Sequence, residues 1–142
     1  MSAKKRLKAE NIKEQNKITY FAKLRNCPTS PRKMRIVADL IRGIGVEEAL
    51  HILKTSTKES SIRLRKLLLS AIDSWQQKNE NSRVEKSNLF VKNIFVDQGR
   101  SLKRLRTAPQ GRAHRIQKRS NHVTLILGDK LLLEEEAVGS RQ

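Results

Sequence analysis

Residues 98–119 constrain the fold most, because they cannot fold by themselves. The segment reads QGRSLKRLRTAPQGRAHRIQKR and contains eight bases and no acid. Its apolar residues, Leu102, Leu105 and Ile116, are too scattered to form a core. A stretch of this composition buries too little apolar surface to offset the entropy lost on ordering. The rest of the chain, or a partner, must therefore hold it in shape.

Two apolar runs border this segment and predict how it is held. Leu89–Val96 (LFVKNIFV) and Val123–Leu127 (VTLIL) are dense in β-favouring residues and predict two strands. The sequence Ala-Pro-Gln-Gly at 108–111 favours a turn between them. The chain therefore predicts an extended β-hairpin over residues 97–122. At roughly 3.3 Å per residue, arms of about twelve residues would reach on the order of 40 Å.

The bases of this hairpin need an anionic environment. An isolated two-stranded ribbon is marginally stable in water, and unpaired like charges weaken it further. RNA suits a long irregular ribbon better than a DNA duplex does, because proteins recognise folded RNA through phosphates, 2′-hydroxyls and shape. A solvated, flexible basic loop is the alternative interpretation. The candidate RNA-binding bases are Arg100, Lys103, Arg104, Arg106, Arg112, Arg115, Lys118 and Arg119.

The charge of the whole chain indicates the same class of partner. Its 142 residues, enough for one domain, carry 31 Lys and Arg against 14 Asp and Glu, a net charge of +17. Such an excess repels itself in a compact state unless polyanions neutralise it. A basic membrane-surface protein would share this charge, but no segment approaches the roughly 18–20 apolar residues that cross a bilayer. We therefore expect a phosphate-rich partner and no membrane insertion.

The N-terminus and the cysteine content bear on location. The first residues, MSAKKRLKAENIKE, contain no secretory apolar run, and Glu10 and Glu14 argue against an organelle transit peptide. We expect a cytoplasmic protein of bacterial type, or its plastid counterpart. Cys27 is the only cysteine, so neither an internal disulfide nor a thiolate metal cluster is available.

Residues 30–43 predict the first helix of the domain. Ser30 is a favoured N-cap, and Pro31 suits the first helical position, where its missing N–H costs nothing. Gly43 is placed for a left-handed residue after the helix. The apolar residues assigned to its buried face are Ile36, Val37, Leu40 and Ile41.

A first strand and two further helices complete the predicted elements. Alternation over residues 17–26 predicts the strand. Glu47 and Glu48 suit the start of a short helix, and Ser56 and Glu59 have the spacing of a capping box that opens a longer one. Residues 76–88 predict a loop. The apolar face of the longer helix runs through Leu64, Leu68, Ala71, Ile72 and Trp75, widened by Ile62, Leu67 and Leu69.

Together these elements predict an α+β fold, in which a small antiparallel three-stranded sheet packs on three helices and a long β-hairpin extends from it. Residues 1–17 form a basic N-terminal extension, either frayed or helical. Residues 18–128 form a single RNA-binding domain that includes the extended hairpin 97–122. Residues 129–142 form a C-terminal tail.

The start of the first helix is a second candidate site. Arg32, Lys33 and Arg35 lie in or near its first turn, where the helix dipole disfavours each cation by roughly 0.3–1 kcal/mol. A bound phosphate reverses that preference, because backbone N–H groups and cations then converge on one anion. The alternative is an exposed basic face that tolerates the cost.

No group of residues predicts catalysis. The histidines at 51, 114 and 122 lack the paired spacing of zinc ligands. The aspartates at 39, 73 and 97 fall in different elements and predict no carboxylate pair for acid–base work. Trp75 lies on an apolar helical face and is assigned to the core rather than to base stacking. We therefore expect no catalytic residue, no metal, no cofactor and no enzymatic activity.

Several segments together resemble a known family. SPRKMRIVADLIRG at 30–43 closely resembles the helix signature of bacterial-type large ribosomal subunit protein twenty-two. The similarity covers about residues 18–128. The further matching segments, in the family's order, are VEEALHIL at 46–53, KLLLSAI at 66–72, VDQGRSLKRLR at 96–106 and GRAHRIQKRSNHVTLIL at 111–127.

The resemblance implies a structural constituent of the large ribosomal subunit. Its globular domain would bind the 23S-type ribosomal RNA, contact neighbouring ribosomal proteins and aid assembly, without forming a homo-oligomer. Its hairpin tip would line the exit tunnel of the nascent polypeptide. Arg32, Lys33 and Arg35 match the helix-start bases of the family. The positions that match the tunnel-loop tip are Thr107, Ala108, Pro109, Gln110 and Gly111.

The chain departs from the family pattern at three places. The family commonly has Pro-Arg-Ala where this chain has Thr107-Ala108-Pro109, so the arginine near the tip is missing. Arg100 stands where proline is usual. Asp73-Ser74-Trp75 replaces Ala-Asn-Ala after the SAI run.

Two other function classes have distinguishing features. A free DNA-binding regulator that reads bases with the Ser30 helix would be a dimer with base-specific sites, but the sequence offers no dimerising heptads and leaves the hairpin unexplained. An RNA-processing enzyme would need convergent acids or histidines, and its activity would depend on a residue such as His114.

Overall fold

The apolar runs of the sequence form strands, and its amphipathic runs form helices, in a computed structural model that describes residues 3–79 and 88–129. β1, β5 and β2 form an antiparallel sheet in that order, and β3 and β4 form a separate antiparallel ribbon. The predicted α+β fold is confirmed. The elements are α1 (Ala3–Ile18), β1 (Tyr20–Cys27), α2 (Pro31–Ile41), α3 (Val46–Thr55), α4 (Glu59–Lys78), β2 (Leu89–Gln98), β3 (Leu102–Thr107), β4 (Ala113–Lys118) and β5 (Asn121–Asp129).

The core lies between one face of the sheet and the helices α2, α3 and α4. Val123, Leu125 and Leu127 of the central strand β5 point to that face, as the two-residue period of a strand requires, and all three are buried. The predicted apolar face of α4 packs against them. Trp75 is only 3% exposed and meets the Tyr20 ring edge-on, with ring centroids 6.3 Å apart. The assignment of Trp75 to the core is confirmed.

The apolar faces of two helices differ from the predicted ones. In α2 the buried residues include Met34, Val37, Ala38 and Ile41, whereas Ile36 and Leu40 are 49% and 46% exposed. Positions 34, 37, 38 and 41 follow the three- and four-residue spacing of one helical face, and positions 36 and 40 lie beside it. The predicted widening of the α4 face is likewise wrong at two of three positions. Leu67 is buried, but Ile62 and Leu69 are exposed.

The helix ends also test the predictions. Ser30 is the N-cap residue of α2, although its side chain makes no capping hydrogen bond, and Pro31 is the first helical residue. Gly43 has the predicted positive φ, 78°. The capping box at Ser56 is wrong, because α4 begins after Lys58 as N-cap, and the Ser56 hydroxyl instead accepts a hydrogen bond from Ser61 Oγ at 2.9 Å.

Three predicted boundaries shift. The N-terminal extension is helical, and α1 continues through residue 18, so β1 starts at Tyr20 rather than at residue 17. Residues 76–78, predicted as loop, belong to α4 because its last turn is fastened to β1: the Asn79 side-chain amide donates to the Tyr20 hydroxyl at 3.0 Å. Asp129, assigned to the tail, ends β5. The other residues of the predicted loop at 80–87 and of the tail at 130–142 lie outside the described residues.

Two neighbouring leucines of α4 test the packing. Leu68 is fully buried and Leu69 is 45% exposed. We expect Leu68→Ala to lower the free energy of unfolding by about 2–5 kcal/mol, because it removes buried methyl groups and leaves a cavity. Leu69→Ala is the matched control and should change stability by less than about 0.5 kcal/mol. Urea denaturation followed by circular dichroism measures both, and equal losses would contradict the packing described.

Candidate nucleic-acid interface

The basic segment forms a regular two-stranded ribbon with a tight tip. β3 pairs with β4 from Leu102 opposite Lys118 to Thr107 opposite Ala113. The tip is closed by the Ala108 N–H, which donates to the Arg112 carbonyl at 2.9 Å. Gln110 and Gly111 have φ values of 62° and 68°, so the turn needs a residue such as glycine that tolerates left-handed backbone. The predicted turn at 108–111 is confirmed.

The ribbon carries cations on both faces. Directly paired residues of an antiparallel ladder point to the same face, and successive residues alternate. Arg104, Arg106 and Lys118 therefore share one face, and Lys103 and Arg115 share the other. Every residue of β3 and β4 is exposed. A flat anionic surface would neutralise only one face, so the ribbon fits an anionic environment that surrounds it.

The acids of the described residues supply no counterions to these cations. The ion pairs found in residues 3–79 and 88–129 are Arg6 with Glu10, Arg42 with Asp39, and Arg63 with Glu59, and none lies in the ribbon. The side-chain hydrogen bond from Arg63 to Glu59, 2.8 Å long, raises the pKa of the guanidinium above its ordinary value. The arginines at 42 and 63 are thus paired within the chain, whereas the ribbon bases remain available to a ligand.

A short neck, made of residues 99–101 and 119–120, joins the ribbon to the sheet. The Gly99 N–H donates to the Ser120 carbonyl at 2.8 Å, and Ser120 Oγ donates to the Arg100 carbonyl at 2.6 Å. Between the pair Gln98–Asn121 and the pair Leu102–Lys118, the outgoing arm has one residue more than the returning arm. Such an extra residue bends a ladder and increases its twist. The neck therefore sets the direction in which the ribbon leaves the sheet.

A buried asparagine ties this neck to the start of α2. Asn121, the first residue of β5, is fully buried, and its side-chain amide donates to the Thr29 carbonyl at 2.7 Å. Thr29 directly precedes Ser30, the N-cap of α2. The bond therefore holds the two predicted basic sites at one end of the domain. Sequence reasoning missed Asn121, because its partner lies 92 residues away.

The three predicted bases of α2 divide into two kinds. Arg32 and Lys33 are exposed, and the first turn contains no acid. Arg35 is also exposed, but it donates from Nε and Nη2 to the Val96 carbonyl, at 3.3 and 3.0 Å. Arg42, seven residues further on, donates from Nη2 to the Ile94 carbonyl at 3.1 Å. The seven-residue spacing that places both arginines on one side of α2 was the available sequence signal.

These two arginines satisfy the free edge of β2. β2 is an outer strand of the sheet, so carbonyls on its far side lack a strand partner. The backbone of residues 43–45 binds this edge at Val91, through Gly43 N–H to Val91 O and Val91 N–H to Ile44 O. The two guanidiniums bind it further along. An unprotected strand edge can pair with the strands of other chains. Here the carbonyls of Val91, Ile94 and Val96 already accept hydrogen bonds on this edge.

The histidines do not converge on a site. His114 lies on the exposed ribbon, and His122 Nδ1 accepts a hydrogen bond from the Asn26 N–H at 3.0 Å. Within the described ranges no three His, Cys, Asp or Glu side chains are grouped to hold a metal ion. No helix in the same ranges has the length and apolar character needed to cross a bilayer.

Arg32 and Arg35 offer a matched pair for separating binding from stability. Arg35→Met should lower the free energy of unfolding by about 1–3 kcal/mol, because it removes charged hydrogen bonds to a strand carbonyl. Arg32→Met should leave the free energy of unfolding within about 0.5 kcal/mol of the wild type, since this exposed side chain makes no hydrogen bond to the described residues. Urea denaturation measures both changes. If Arg32→Met lowered the free energy of unfolding as much as Arg35→Met does, the different roles given to these two arginines would be wrong.

Comparison with known proteins gives consistent matches. A protein of Christiangramia forsetii named large ribosomal subunit protein uL22 is 67% identical over 128 residues, which cover 90% of this chain and 95% of the relative. Its Bacteroides fragilis namesake is 58% identical over 136 residues, 96% of this chain and 99% of the relative. That of Porphyromonas gingivalis is 59% identical over 127 residues, 89% and 94% of the two chains.

The family comparison covers the domain and the ribbon together. Residues 22–128 match the family described as ribosomal protein L22p/L17e. This range begins within β1 and ends within β5, so it contains α2, the neck, both ribbon strands and the tip. With this match and relatives of 58–67% identity over nine-tenths of the chain, the protein belongs to the ribosomal protein L22p/L17e family.

Proposed function

We propose that this protein is a structural constituent of the large ribosomal subunit, where it binds ribosomal RNA and supports assembly of the subunit. The observation that carries the proposal is the ribbon. It exposes cations on both faces and receives no counterion from the described protein residues. Phosphates on both sides supply the missing charge. The names of the relatives specify the large ribosomal subunit.

RNA binding rests on two groups of bases at one end of the domain. Arg32 and Lys33 stand at the start of α2, where a phosphate is favoured by the backbone N–H groups and the helix dipole. Asn121 holds this helix start next to the neck. Arg35 contributes mainly by fixing β2, although its charge adds to the local field. The ribbon bases of the proposed interface are Arg100, Lys103, Arg104, Arg106, Arg112, Arg115, Lys118 and Arg119.

The ribbon tip fits a position along the tunnel of the nascent polypeptide. The ribbon extends about 30 Å beyond the sheet, at about 3.3 Å per residue over residues 99–108. Residues 107–111 are Thr, Ala, Pro, Gln and Gly, uncharged and flanked by Arg106 and Arg112. The flanking arginines hold RNA, and the tip presents a neutral surface to a passing chain. An arginine at position 108, common in the family, is absent here.

The role is structural rather than enzymatic. What RNA requires from this surface is charge neutralisation and shape, and the exposed cations provide both. Neighbouring large-subunit proteins are the other expected partners, and no homo-oligomer is needed. The location that follows is the ribosome in the cytoplasm.

Charge reversal on both ribbon faces tests the proposal. Arg104→Glu with Arg115→Glu places one acid on each face, at exposed positions that make no core contact. The double variant should incorporate poorly into large subunits, measured by sucrose-gradient sedimentation of lysate in competition with the untagged wild type. In binding to purified large-subunit RNA, the log–log salt slope should fall by about 0.7–0.9 per lost phosphate contact.

The control is Lys54→Glu with Lys58→Glu, which changes the net charge equally at exposed positions outside both basic groups. This control should incorporate much better than the ribbon variant. Incorporation of the ribbon variant at the wild-type level would overturn the proposal. Cross-links from residues 100–119 to large-subunit RNA in the wild type would support it, and migration of the protein only in the light fractions would contradict it.

A further inference from the structure

The sheet has a second face, which none of the helices in the described part of the chain covers. β1, β5 and β2 turn their alternate residues away from α2, α3 and α4, so that Thr124 and Ile126 of the central strand are partly exposed. We call this the open face. All three phenylalanines of the chain lie on it and none lies in the core. Phe21 and Phe95 are 42% and 51% exposed, and the Phe90 ring lies against Gly128.

The strand register gives the layout of this face. Phe21 pairs with Ile126, which pairs with Asn93 across the sheet. In the next row, Lys23 pairs with Thr124, which pairs with Phe95. Neighbouring strands lie about 4.8 Å apart, and residues two apart along a strand lie about 6.8 Å apart. The backbone positions of Phe21 and Phe95, two strands and one such step apart, are therefore about 12 Å from each other. Two separate aromatic rings are thus presented on a rigid, central part of the molecule.

Two exposed phenylalanines at this place indicate a partner. An antiparallel sheet with one solvated face ordinarily has polar residues there. Folding gains most from phenylalanine in a core, where its large ring is buried against other side chains. Within residues 3–79 and 88–129, nothing packs over these two rings, since α2, α3 and α4 occupy the opposite face.

The charges on the face favour RNA over a protein partner. The Lys23 ammonium lies 5.2 Å from the centroid of the Phe21 ring, and Lys92 is exposed beside Phe90, against one acid, Asp97, among the described residues of this face. The face also runs into the neck of the ribbon. A Cβ built on Gly99 would lie 3.2 Å from His122 Nε2, and His122 belongs to the open face. The open face therefore continues the proposed RNA-binding surface.

We propose that unpaired nucleotides of RNA stack on Phe21 and Phe95, with Lys23 pairing with the phosphate beside the first stacked base. This inference rests on the proposed function, because it takes RNA as the partner. Unstacked bases bind aromatic side chains through their π faces irrespective of sequence. The exposed contact between Lys23 and Phe21 is weak enough for a base to share the ring.

A binding experiment with the full chain separates stacking from charge. The probes are a fluorescein-labelled decamer of adenylate RNA and a ten-base-pair RNA duplex, and anisotropy is measured at about 0.5 M salt, where phosphate contacts are weakened. Phe21→Leu with Phe95→Leu should bind the single strand at least about fivefold more weakly, because leucine offers no π face. Duplex affinity and the salt slope should stay as in the wild type.

The control, Ile62→Ala with Leu69→Ala, removes apolar side chains of similar exposure from α4. It should bind both probes as the wild type does. Single-strand binding by the leucine variant at wild-type strength would overturn the stacking proposal. If the Arg104→Glu and Arg115→Glu variant then binds RNA more weakly than the wild type, the proposed function still stands. Wild-type binding by both variants would remove the support for both proposals.

Photocross-linking in assembled large subunits distinguishes RNA from protein as the occupant. The variant Phe95→p-benzoylphenylalanine should cross-link to ribosomal RNA. Cross-links to protein alone would show that a neighbouring protein covers the face, and the absence of any cross-link would show that it is left to solvent. Either of these outcomes would overturn the proposal.

Discussion

The antiparallel ladder between β2 and β5 joins residues 89–98 to residues 121–129, and both arms of the ribbon leave from its far end. The same two strands carry Ile94, Val96, Val123 and Leu125 into the core. A ribbon that cannot bury itself is therefore anchored on the best buried strands of the molecule. Bringing the two arms of the ribbon together costs conformational entropy. The ladder between β2 and β5 offsets this cost, because it fixes the start of both arms.

The cations of this protein fall into two groups, those that bind other groups of the protein and those that do not. Arg35 and Arg42 bind carbonyls on the free edge of β2, and Arg63 pairs with Glu59, so these three stabilise the protein itself. The ribbon bases and the first-turn bases of α2 have no acidic partner among the described residues, and Arg104 donates only to the carbonyl of its neighbour Lys103. Their mutual repulsion costs stability in the free protein, and the phosphates of the proposed RNA partner would relieve it. In the proposed complex, RNA binding would therefore stabilise the ribbon through charge.

The two faces of the sheet also differ in what they contact. One face receives three helices and forms the core, while the other presents phenylalanines and lysines and meets the neck of the ribbon. Asn121 connects the neck to the start of α2 by one buried hydrogen bond. The basic ribbon, the basic helix start and the open face are thereby held in a fixed relation by the few residues around positions 29, 99 and 121. If this surface binds RNA as proposed, its rigidity would favour one arrangement of the folded RNA over others.

Features that depend on local chemistry could be predicted from the sequence. They are the acid-free basic hairpin with its turn at 108–111, the two strands beside it, the apolar face of α4 through Leu64, Leu68 and Trp75, and the left-handed Gly43. Which apolar residues face outward, as Ile36, Leu69 and Phe95 do, depends on the packing of the elements, because periodicity gives a helix or strand two sides without saying which side a neighbour covers. The packing also sets the role of each arginine. Arg32 and Arg35 stand three residues apart in one helix, yet only Arg35 reaches Val96, because the edge of a strand sixty-one residues away passes beside it.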